Sequence, residues 1–333
     1  MSDIHNNFID AIGNTPLIRL NGPSNETGCN ILGKAEYSNP GGSIKDRAAW
    51  AIIKDSEEKN ILRENGIIIE GTAGNTGIGL TLIGNSRGYK SIIVMPETQT
   101  REKIDILKYI GAELRLVPAK PYKDPDNFVK YSGRLAEEIS KKNNGNVLWA
   151  NQFDNVANYL GHYQTTGQEI WGQTKSKIDA FICSSGTGGT IAGVGKALKE
   201  KNKNIKICLA DPKGSALYNF IKFKELKSEG NSITEGIGSS RITANFSQAP
   251  IDDAFSVDDV DALTEIYKLI ENEGLSLGTS SGINVAGAIS LAKELGPGKT
   301  IVTMLCDKSD RYQSKLFNKD FLKEKNLPIP KWL

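Results

Sequence analysis

Short runs of β-branched and other apolar residues alternate with segments of helical periodicity along nearly the whole sequence. Such alternation is typical of strand–helix–strand crossover units, which build a mostly parallel sheet with helices on both faces. Three of the runs, IIIEG, SIIVM and IVTMLC, are apolar on both faces, as strands covered by helices on each side must be. The sequence therefore predicts an α/β fold.

The length and spacing of these segments predict two domains. A chain of 333 residues has the length of two ordinary domains, and we divide it into α/β domains at 1–157 and 158–333. The cleft between them is the expected binding site. The predicted strands span 29–35, 66–71, 90–95, 113–117, 146–150, 179–184, 205–210 and 300–306. The predicted helices span 44–58, 76–87, 100–110, 125–142, 154–171, 189–200, 257–272 and 281–295.

The composition narrows the class of protein. Lysine plus arginine (41) barely exceeds aspartate plus glutamate (39), and the two signs are interspersed, so no basic surface points to nucleic acid. No apolar run could span a bilayer, and the N-terminal segment has no signal or transit pattern. The four cysteines, at 29, 183, 208 and 306, lack CxxC spacing, and with two histidines no metal site is expected. We expect a cytoplasmic protein with reduced thiols.

The segment NPGGSIKDR, residues 39–47, puts a lysine at the start of a predicted helix. Ser43 is a suitable N-cap, so Lys45 falls in the first turn. The positive potential at a helix N-terminus would lower the pKa of an inward-facing Lys45. A partly neutral lysine can form a Schiff base with a carbonyl, whereas the alternative is an ordinary solvated lysine.

The loop GTAGNTG, residues 71–77, connects a predicted strand to an apolar helix. Glycines let backbone N–H groups approach an anion, and the helix N-terminus adds a favourable potential. The loop therefore suits a carboxylate or a phosphate, although a plain strand–helix turn is the alternative.

The loop SSGTGGT, residues 184–190, combines bare glycine backbone, hydroxyl groups and a helix start, which favours phosphate binding over a structural turn. Because position 191 is isoleucine, the loop does not match the GxGxxG dinucleotide fingerprint. The sequence GKT at 298–300 resembles the end of an ATP-binding loop. However, the required upstream glycine position holds Lys293 and the segment precedes a strand, so we reject ATP.

Two later loops complete the pattern, EGIGSSR at 235–241 and GTSSG at 278–282. Their glycines allow close approach to a flat ligand, and the hydroxyl groups of the second could bond a ring nitrogen or cap the helix that follows. A Schiff-base lysine, a phosphate loop and a carboxylate loop together imply an aldehyde cofactor that carries a phosphate and acts on amino acids. Pyridoxal 5′-phosphate is the cofactor that needs all three.

Seven motifs in order, NTPL, NPGGSIKDR, GTAGNTG, NQF, SSGTGGT, EGIG and GTSSG, make the chain resemble the cysteine synthase/cystathionine β-synthase family of fold-type II pyridoxal-phosphate enzymes. The resemblance covers essentially the whole chain. It implies two open, twisted, mostly parallel sheets with helices on both faces, the cofactor in the interdomain cleft, and a segment around 13–36 that crosses to the other domain. It also implies a homodimer and a possible serine acetyltransferase partner.

The resemblance assigns roles to individual residues. Lys45 matches the lysine that binds the cofactor aldehyde, Asn75 the asparagine that bonds its ring hydroxyl oxygen, and Ser280 the serine that faces its pyridine nitrogen. The phosphate cradle matches Gly186, Thr187, Gly188, Gly189 and Thr190. The residues expected to bind substrate are Thr72, Ala73, Gly74, Asn75, Thr76, Gln152 and Gly236.

The reaction that the resemblance implies is a β-replacement forming L-cysteine from O-acetyl-L-serine and sulfide. Lys45 would remove the substrate α-proton as general base, and sulfide would add to an α-aminoacrylate intermediate. Cystathionine β-synthase, cysteine desulfhydrase and serine dehydratase share the first half-reaction and stay open as alternatives. A weakly catalytic paralogue that regulates serine acetyltransferase is a further alternative, against which the intact Lys45 and Asn75 count.

Two positions depart from the family pattern. Ala73 stands where serine is common, so one hydroxyl that would contact the substrate is missing. Arg241, shortly after EGIG, adds a cation that could recognise a phosphorylated donor such as O-phosphoserine. The alternative for Arg241 is solvation at the cleft rim or pairing with a nearby carboxylate.

Overall fold

The computed structural model describes residues 4–333, within which ten strands form two sheets. The strands are β1 (Leu17–Arg19), β2 (Asn30–Ala35), β3 (Ile67–Gly71), β4 (Lys90–Pro96), β5 (Glu113–Val117), β6 (Val147–Trp149), β7 (Ala180–Cys183), β8 (Lys206–Pro212), β9 (Asp253–Val257) and β10 (Thr300–Leu305).

Helices cover both faces of the sheets. They are α1 (Asn21–Thr27), α2 (Lys45–Glu58), α3 (Asn75–Arg87), α4 (Arg101–Tyr109), α5 (Phe128–Lys142), α6 (Ala157–Gln164), α7 (Thr166–Gln173), α8 (Gly189–Lys201), α9 (Leu217–Phe223), α10 (Asp259–Glu273), α11 (Thr279–Leu295), α12 (Gln313–Leu316) and α13 (Lys319–Glu324).

The first sheet has six strands in the order β1-β2-β10-β7-β8-β9, and the second has four in the order β5-β4-β3-β6. Every pair is parallel except β1 with β2. The predicted α/β fold with two mostly parallel sheets is therefore confirmed. Strands β1 and β2 belong to the six-stranded sheet, where β2 lies beside β10. The four strands of the other sheet, β3 to β6, come directly after them in the chain. The domain division at 157/158 stays a prediction.

Strand β7 illustrates why these strands are apolar throughout. Ala180 and Ile182 pack into the apolar cluster that contains α10 and α11 side chains, whereas Phe181 and Cys183 pack into the cluster on the opposite face, which contains α8 side chains. Successive side chains of a strand point to opposite faces, so a sheet covered on both sides needs apolar residues at each position.

The structure corrects several predicted elements. The helix predicted at 154–171 is two helices, α6 and α7, because Thr165 leaves the helical conformation (φ −119°, ψ −75°). The prediction of a helix from residue 257 was wrong: Val257 ends β9, and Asp258 caps α10 by accepting a hydrogen bond from Asp261 N. Strands β1 and β9 and the short helices α1, α9, α12 and α13 were not predicted.

Candidate active site

A cavity of about 240 Å³ lies where loops from both sheets meet. Its walls include the loop after β3, the loop after β7, and the starts of α2 and α11. Sites at the carboxyl ends of parallel strands are the rule in open α/β sheets. Of the residues expected to bind cofactor or substrate, the cavity is lined by Lys45, Thr72, Ala73, Gly74, Asn75, Thr76, Gln152, Gly186, Thr187, Gly188, Thr190, Gly236 and Ser280. Gly189 is buried behind this surface.

Lys45 is half-buried and is the first residue of α2. The Ser43 hydroxyl oxygen accepts a hydrogen bond from Lys45 N at 3.2 Å, but Ser43 lies one residue before the N-cap position, which Ile44 occupies. The predicted cap at Ser43 is therefore off by one residue. Ile44 N also donates to the main-chain oxygen of Cys306, just after β10. The loop that carries Lys45 is thus tied to the six-stranded sheet.

The glycines of the loop after β7 are sterically required. A Cβ atom on Gly186 would lie 2.1 Å from the main-chain oxygen of Gly236, and one on Gly188 would lie 2.4 Å from Phe246 N. Gly188 also has a left-handed backbone (φ 88°). The loop therefore exposes unshielded backbone to the cavity at Gly186 and Gly188, as an anion-binding loop requires.

The same loop offers donors for a phosphate. Helix α8 begins at Gly189, so its N-terminal N–H groups lie beside the loop. The Ser185 hydroxyl is buried without a hydrogen-bond partner, and the Thr187 hydroxyl accepts from Asn158 Nδ2 at 3.0 Å. The Thr190 hydroxyl contacts His162 Nε2 at 3.3 Å. A phosphate would fit this set, which holds no acidic side chain.

His162 supports the loop from behind and was not predicted. Its Nδ1 atom lies 2.9 Å from the Thr166 hydroxyl. Burial, together with the nearby Arg47 guanidinium, lowers the pKa of His162 to about 3. His162 is therefore neutral at ordinary pH and serves as a polar support, without adding charge behind the loop.

The loop after β3 is joined to Gln152, which follows β6. The Thr76 hydroxyl donates to Gln152 Oε1 at 2.6 Å, and Thr72 Oγ1 accepts from Gly74 N at 3.2 Å. Behind them, burial raises the pKa of Glu70 to about 8, against the opposing effect of hydrogen bonds from Gln152. Helix α3 begins at Asn75, so the loop carries the N-terminal potential expected of a carboxylate site.

Asn75 has two protein partners that the sequence did not reveal. Its Nδ2 atom donates to Asp307 Oδ2 at 2.6 Å, and its Oδ1 atom accepts from Arg311 Nη1 at 2.7 Å. Both partners belong to the segment after β10.

Ser280 lies in the first turn of α11 and is 6% exposed. We expected residues 278–282 to form a loop, but the helix already begins at Thr279, so that prediction was wrong. Ser280 shares a side-chain hydrogen bond with Cys306. Burial raises the pKa of that thiol to about 11. Neither group carries charge at neutral pH.

A buried ion pair also lines the cavity. Lys103 on α4 is 2% exposed and pairs with Glu235 Oε2 at 2.6 Å. Lys315 pairs with the other oxygen of Glu235 at 2.6 Å, and the Lys103 ammonium lies 4.2 Å from the centre of the Tyr312 ring. Burial lowers the pKa of Lys103, and the attraction of Glu235 opposes that effect.

Arg241 has a carboxylate partner outside the cavity lining. Its two terminal nitrogens donate to Asp154 at 3.1 and 2.9 Å, and its guanidinium lies 4.3 Å from the centre of the Tyr122 ring. The geometry therefore favours the pairing alternative and gives no support to the hypothesis that Arg241 recognises a phosphorylated donor.

Three further observations bear on the class of site. Over residues 4–333, no cluster of three or more His, Cys, Asp or Glu side chains could hold a metal ion. Cys29, Cys183, Cys208 and Cys306 are all unpaired. In the same range, no helix is both long and apolar enough to cross a membrane.

Comparison with known proteins agrees with this geometry. The family model described as "Pyridoxal-phosphate dependent enzyme" matches residues 9–307. Cysteine synthase 1 of Neurospora crassa is 50% identical over 95% of this chain and 84% of its own length. Cysteine synthase of Dictyostelium discoideum is 42% identical over 98% of this chain and 88% of its own length.

Solved structures show the same fold. The crystal structure of O-ureido-L-serine synthase superposes with a TM-score of 0.84 at 31% identity, covering 95% of this chain and 96% of that one. A hydrogen sulfide-producing enzyme from Fusobacterium nucleatum gives a TM-score of 0.82 at 36% identity, covering 93% and 100%. The resemblance to fold-type II enzymes and the prediction of a pyridoxal-phosphate cofactor are therefore confirmed. The chain belongs to the family of pyridoxal-phosphate dependent enzymes.

Proposed function

We propose that the protein is a cysteine synthase that makes L-cysteine from O-acetyl-L-serine and sulfide. In this reaction the bond between the β-carbon and the ester oxygen breaks, acetate leaves, and a carbon–sulfur bond forms at the same carbon. The observation that carries the proposal is the meeting of Lys45, the loop at 72–76 and the glycine loop at 186–190 in one cavity. The identity to proteins named cysteine synthase, 50% and 42% over nearly the whole chain, supports it.

The residues present fit pyridoxal phosphate. Lys45 would bond its aldehyde carbon, residues 186–190 its phosphate, Asn75 its ring oxygen and Ser280 its ring nitrogen. The fit rests on the buried, unpartnered Ser185 hydroxyl and on the glycine backbone that no side chain could replace. When bound, the cofactor supplies an electron sink for the pair left at the substrate α-carbon.

The chain's own groups then bind the substrate and move its proton. The N–H groups at the start of α3, with Gln152, hold the α-carboxylate and fix the orientation of the substrate. The Lys45 amine would take the substrate α-proton as general base. Ser280 has no negative charge, so it does not stabilise a protonated ring nitrogen as an aspartate would.

A second candidate is release of sulfide from cysteine. It is suggested by the hydrogen sulfide-producing enzyme that superposes on this chain at 36% identity. The two activities would use the same cofactor site and the same carboxylate loop, and they differ in whether sulfide is consumed or released. Analysis of the products therefore separates them.

The test combines a spectrum with a product assay. The purified protein should be yellow, and it should form cysteine when given O-acetylserine and sulfide, whereas Lys45→Ala should lose this activity. Lys59→Ala is the matched control, since Lys59 directly follows the same helix and its side chain is 59% exposed. Retained turnover by Lys45→Ala with cofactor bound would falsify the assignment of Lys45. Sulfide release from cysteine, without cysteine formation, would favour the second candidate.

We further propose a homodimer in the cytoplasm. Val156 and Leu160 lie at α6 with 43% and 36% of their surface exposed, and Leu160 borders a shallow groove between α2 and α6. These two exposed apolar side chains support contact with a second copy, and the unpaired cysteines support a reducing compartment. Light scattering that gives the mass of a single chain would contradict the dimer. A serine acetyltransferase partner stays a prediction.

A further inference from the structure

Arg311, in the segment that follows β10, forms hydrogen bonds with residues at or near the starts of three helices. Arg311 Nη1 donates to Asn75 Oδ1 at 2.7 Å, and Nη2 donates to the main-chain oxygen of Gly41 at 2.5 Å. The main-chain oxygen of Arg311 accepts from the Thr100 hydroxyl at 3.1 Å. Gly41 lies in the loop before α2, Asn75 begins α3, and Thr100 directly precedes α4. Arg311, which is 7% exposed, therefore links the elements that carry Lys45 and Asn75.

Asp307 contacts the other end of the same amide. Its Oδ2 atom accepts from Asn75 Nδ2 and from the Tyr312 hydroxyl, each at 2.6 Å. The Asp307 side chain is fully buried, and a Cβ atom on Gly278 would lie 2.1 Å from its Oδ1 atom. Gly278 thus leaves room for the carboxylate to reach Asn75.

These two contacts fix the orientation of the Asn75 amide. A guanidinium has only donors and a carboxylate has only acceptors, so the amide oxygen must face Arg311 and the amide nitrogen must face Asp307. Turning the amide over would put donor against donor and acceptor against acceptor. One of the two hydrogens on Asn75 Nδ2 is bonded to Asp307, and the other takes part in neither of these contacts. Asn75 lines the cavity.

We propose that Arg311 and Asp307 are positioning residues that hold Asn75 with an N–H group available to the ring oxygen of pyridoxal phosphate. The proposal rests on the proposed function through the role of Asn75. An N–H donor stabilises the deprotonated ring oxygen, whereas an amide turned over would present an acceptor and favour the protonated form. The two charged residues thereby act on the protonation of the cofactor through Asn75.

The test is the absorbance of the holoenzyme without substrate, as the ratio of the visible band to the near-ultraviolet band at one pH. This ratio reports the protonation of the ring oxygen. Asn75→Ala should lower it about 10-fold, the equivalent of one hydrogen bond to a charged oxygen. Arg311→Lys keeps the charge but cannot reproduce the planar fork that reaches both Gly41 and Asn75. It should lower the ratio about threefold, since part of the restraint is lost.

The double variant decides whether Arg311 acts through Asn75. Asn75→Ala with Arg311→Lys should show the same ratio as Asn75→Ala alone. Arg87→Lys, at the far end of α3, is the control, because it disrupts a similar fork, to Glu57, away from the cavity and should leave the ratio at its wild-type value. Comparing the unfolding midpoint of Arg311→Lys with this control separates a local effect from a general loss of stability.

Three results would overturn the proposal: an unchanged ratio in Arg311→Lys, a full second decrease in the double variant, or an unchanged ratio in Asn75→Ala. Failure of the proposed function is distinguishable. A wild-type protein that binds the cofactor but makes no cysteine contradicts that function, while the ratio measurements need no substrate.

Discussion

The Thr76 hydroxyl donates a 2.6 Å hydrogen bond to the side-chain oxygen of Gln152. This bond joins the first turn of α3 to Gln152, one of the residues that were expected to bind the substrate. Gln152 is 4% exposed and Thr76 is 2% exposed, so the bond is shielded from water. The orientation of the Gln152 amide therefore depends on Thr76, together with Glu70, which accepts a hydrogen bond from the same side chain.

Thr76→Val keeps the shape of the side chain and removes the hydroxyl. We expect kcat/KM for O-acetylserine to fall by the equivalent of about 1 kcal/mol, roughly fivefold, because the Gln152 amide loses its restraint. Thr81→Val is the control, since the Thr81 hydroxyl bonds only the Gly77 main-chain oxygen in the same helix. Equal losses in the two variants would show that Thr76 stabilises the helix without orienting Gln152.

Ala73 lines the cavity and is half-buried. If a hydroxyl is missing from the substrate site, Ala73→Ser should lower the KM for O-acetylserine by the equivalent of ~0.5–1.5 kcal/mol. Ala112→Ser, on a half-buried position next to β5, should leave the KM unchanged. A KM that stays the same or rises in Ala73→Ser would mean that the site is complete without the serine.

Arg241→Ala should reduce stability without changing donor preference. The arginine pairs with Asp154, and hydrogen bonds from Arg241 and Ala244 N outweigh burial and lower the pKa of Asp154. A carboxyl group whose pKa is lower in the folded chain than in the unfolded chain stabilises the protein at pH values above its unfolded pKa. This contribution is lost as the pH falls. Arg241→Ala should therefore lower the free energy of unfolding by about 1 kcal/mol at neutral pH, and by less in acid.

The enzymatic half of this test uses two donors. The ratio of kcat/KM for O-phosphoserine to that for O-acetylserine should be the same in the wild type and in Arg241→Ala. A selective loss on the phosphorylated donor would reverse the conclusion drawn from the Asp154 pair.

The buried Glu70 side chain should make the stability of the folded protein depend on pH in a predictable direction. Burial raises the pKa of Glu70 to about 8, from a model-compound value of 4.5. Between these two values the unfolded chain is ionised and the folded chain is protonated, so the contribution of Glu70 to stability falls as the pH rises and levels off above about 8. Glu70→Gln removes the titration, so the stability of the variant relative to the wild type should increase by a few kcal/mol between pH 5 and 8.

The measurement is chemical unfolding at several pH values. Glu70→Gln suits the site because Oε2 of Glu70 has no hydrogen-bond partner to lose. Glu58→Gln, whose side chain is 65% exposed, is the control and should show no such trend. A gain from Glu70→Gln that stays constant from pH 5 to 8 would contradict the raised pKa.

The loops of the site were predictable because their information is local. A glycine-rich stretch between an apolar strand and a helix predicts an anion-binding loop without knowledge of the fold, and residues of the two loops named on that ground, 72–76 and 186–190, line one cavity. Lys45 was singled out in the same way, from its place at a helix start, and it lines the same cavity.

The groups that restrain those loops could not be predicted in this way. Lys103 and Glu235 are far apart in sequence, and a lysine on a helix is normally solvated, so the periodicity around Lys103 gave no sign of its burial. Arg311 and Asp307 contact Asn75 only because the chain after β10 folds back over the loop after β3. The break between α6 and α7 was also hidden, since helical periodicity continues through Thr165.

Strand β2 pairs with β10, so Asn30 lies beside Thr300. During synthesis, β2 can pair at once with β1 along one edge, but its other edge has to wait for β10 until almost the entire chain has been made. Contacts between such distant segments slow folding, because a very long loop must close before they form. The four-stranded sheet, whose strands are contiguous in sequence, can assemble first. The last strand made would then bring the two ends of the polypeptide together and complete the cavity that Lys45 faces.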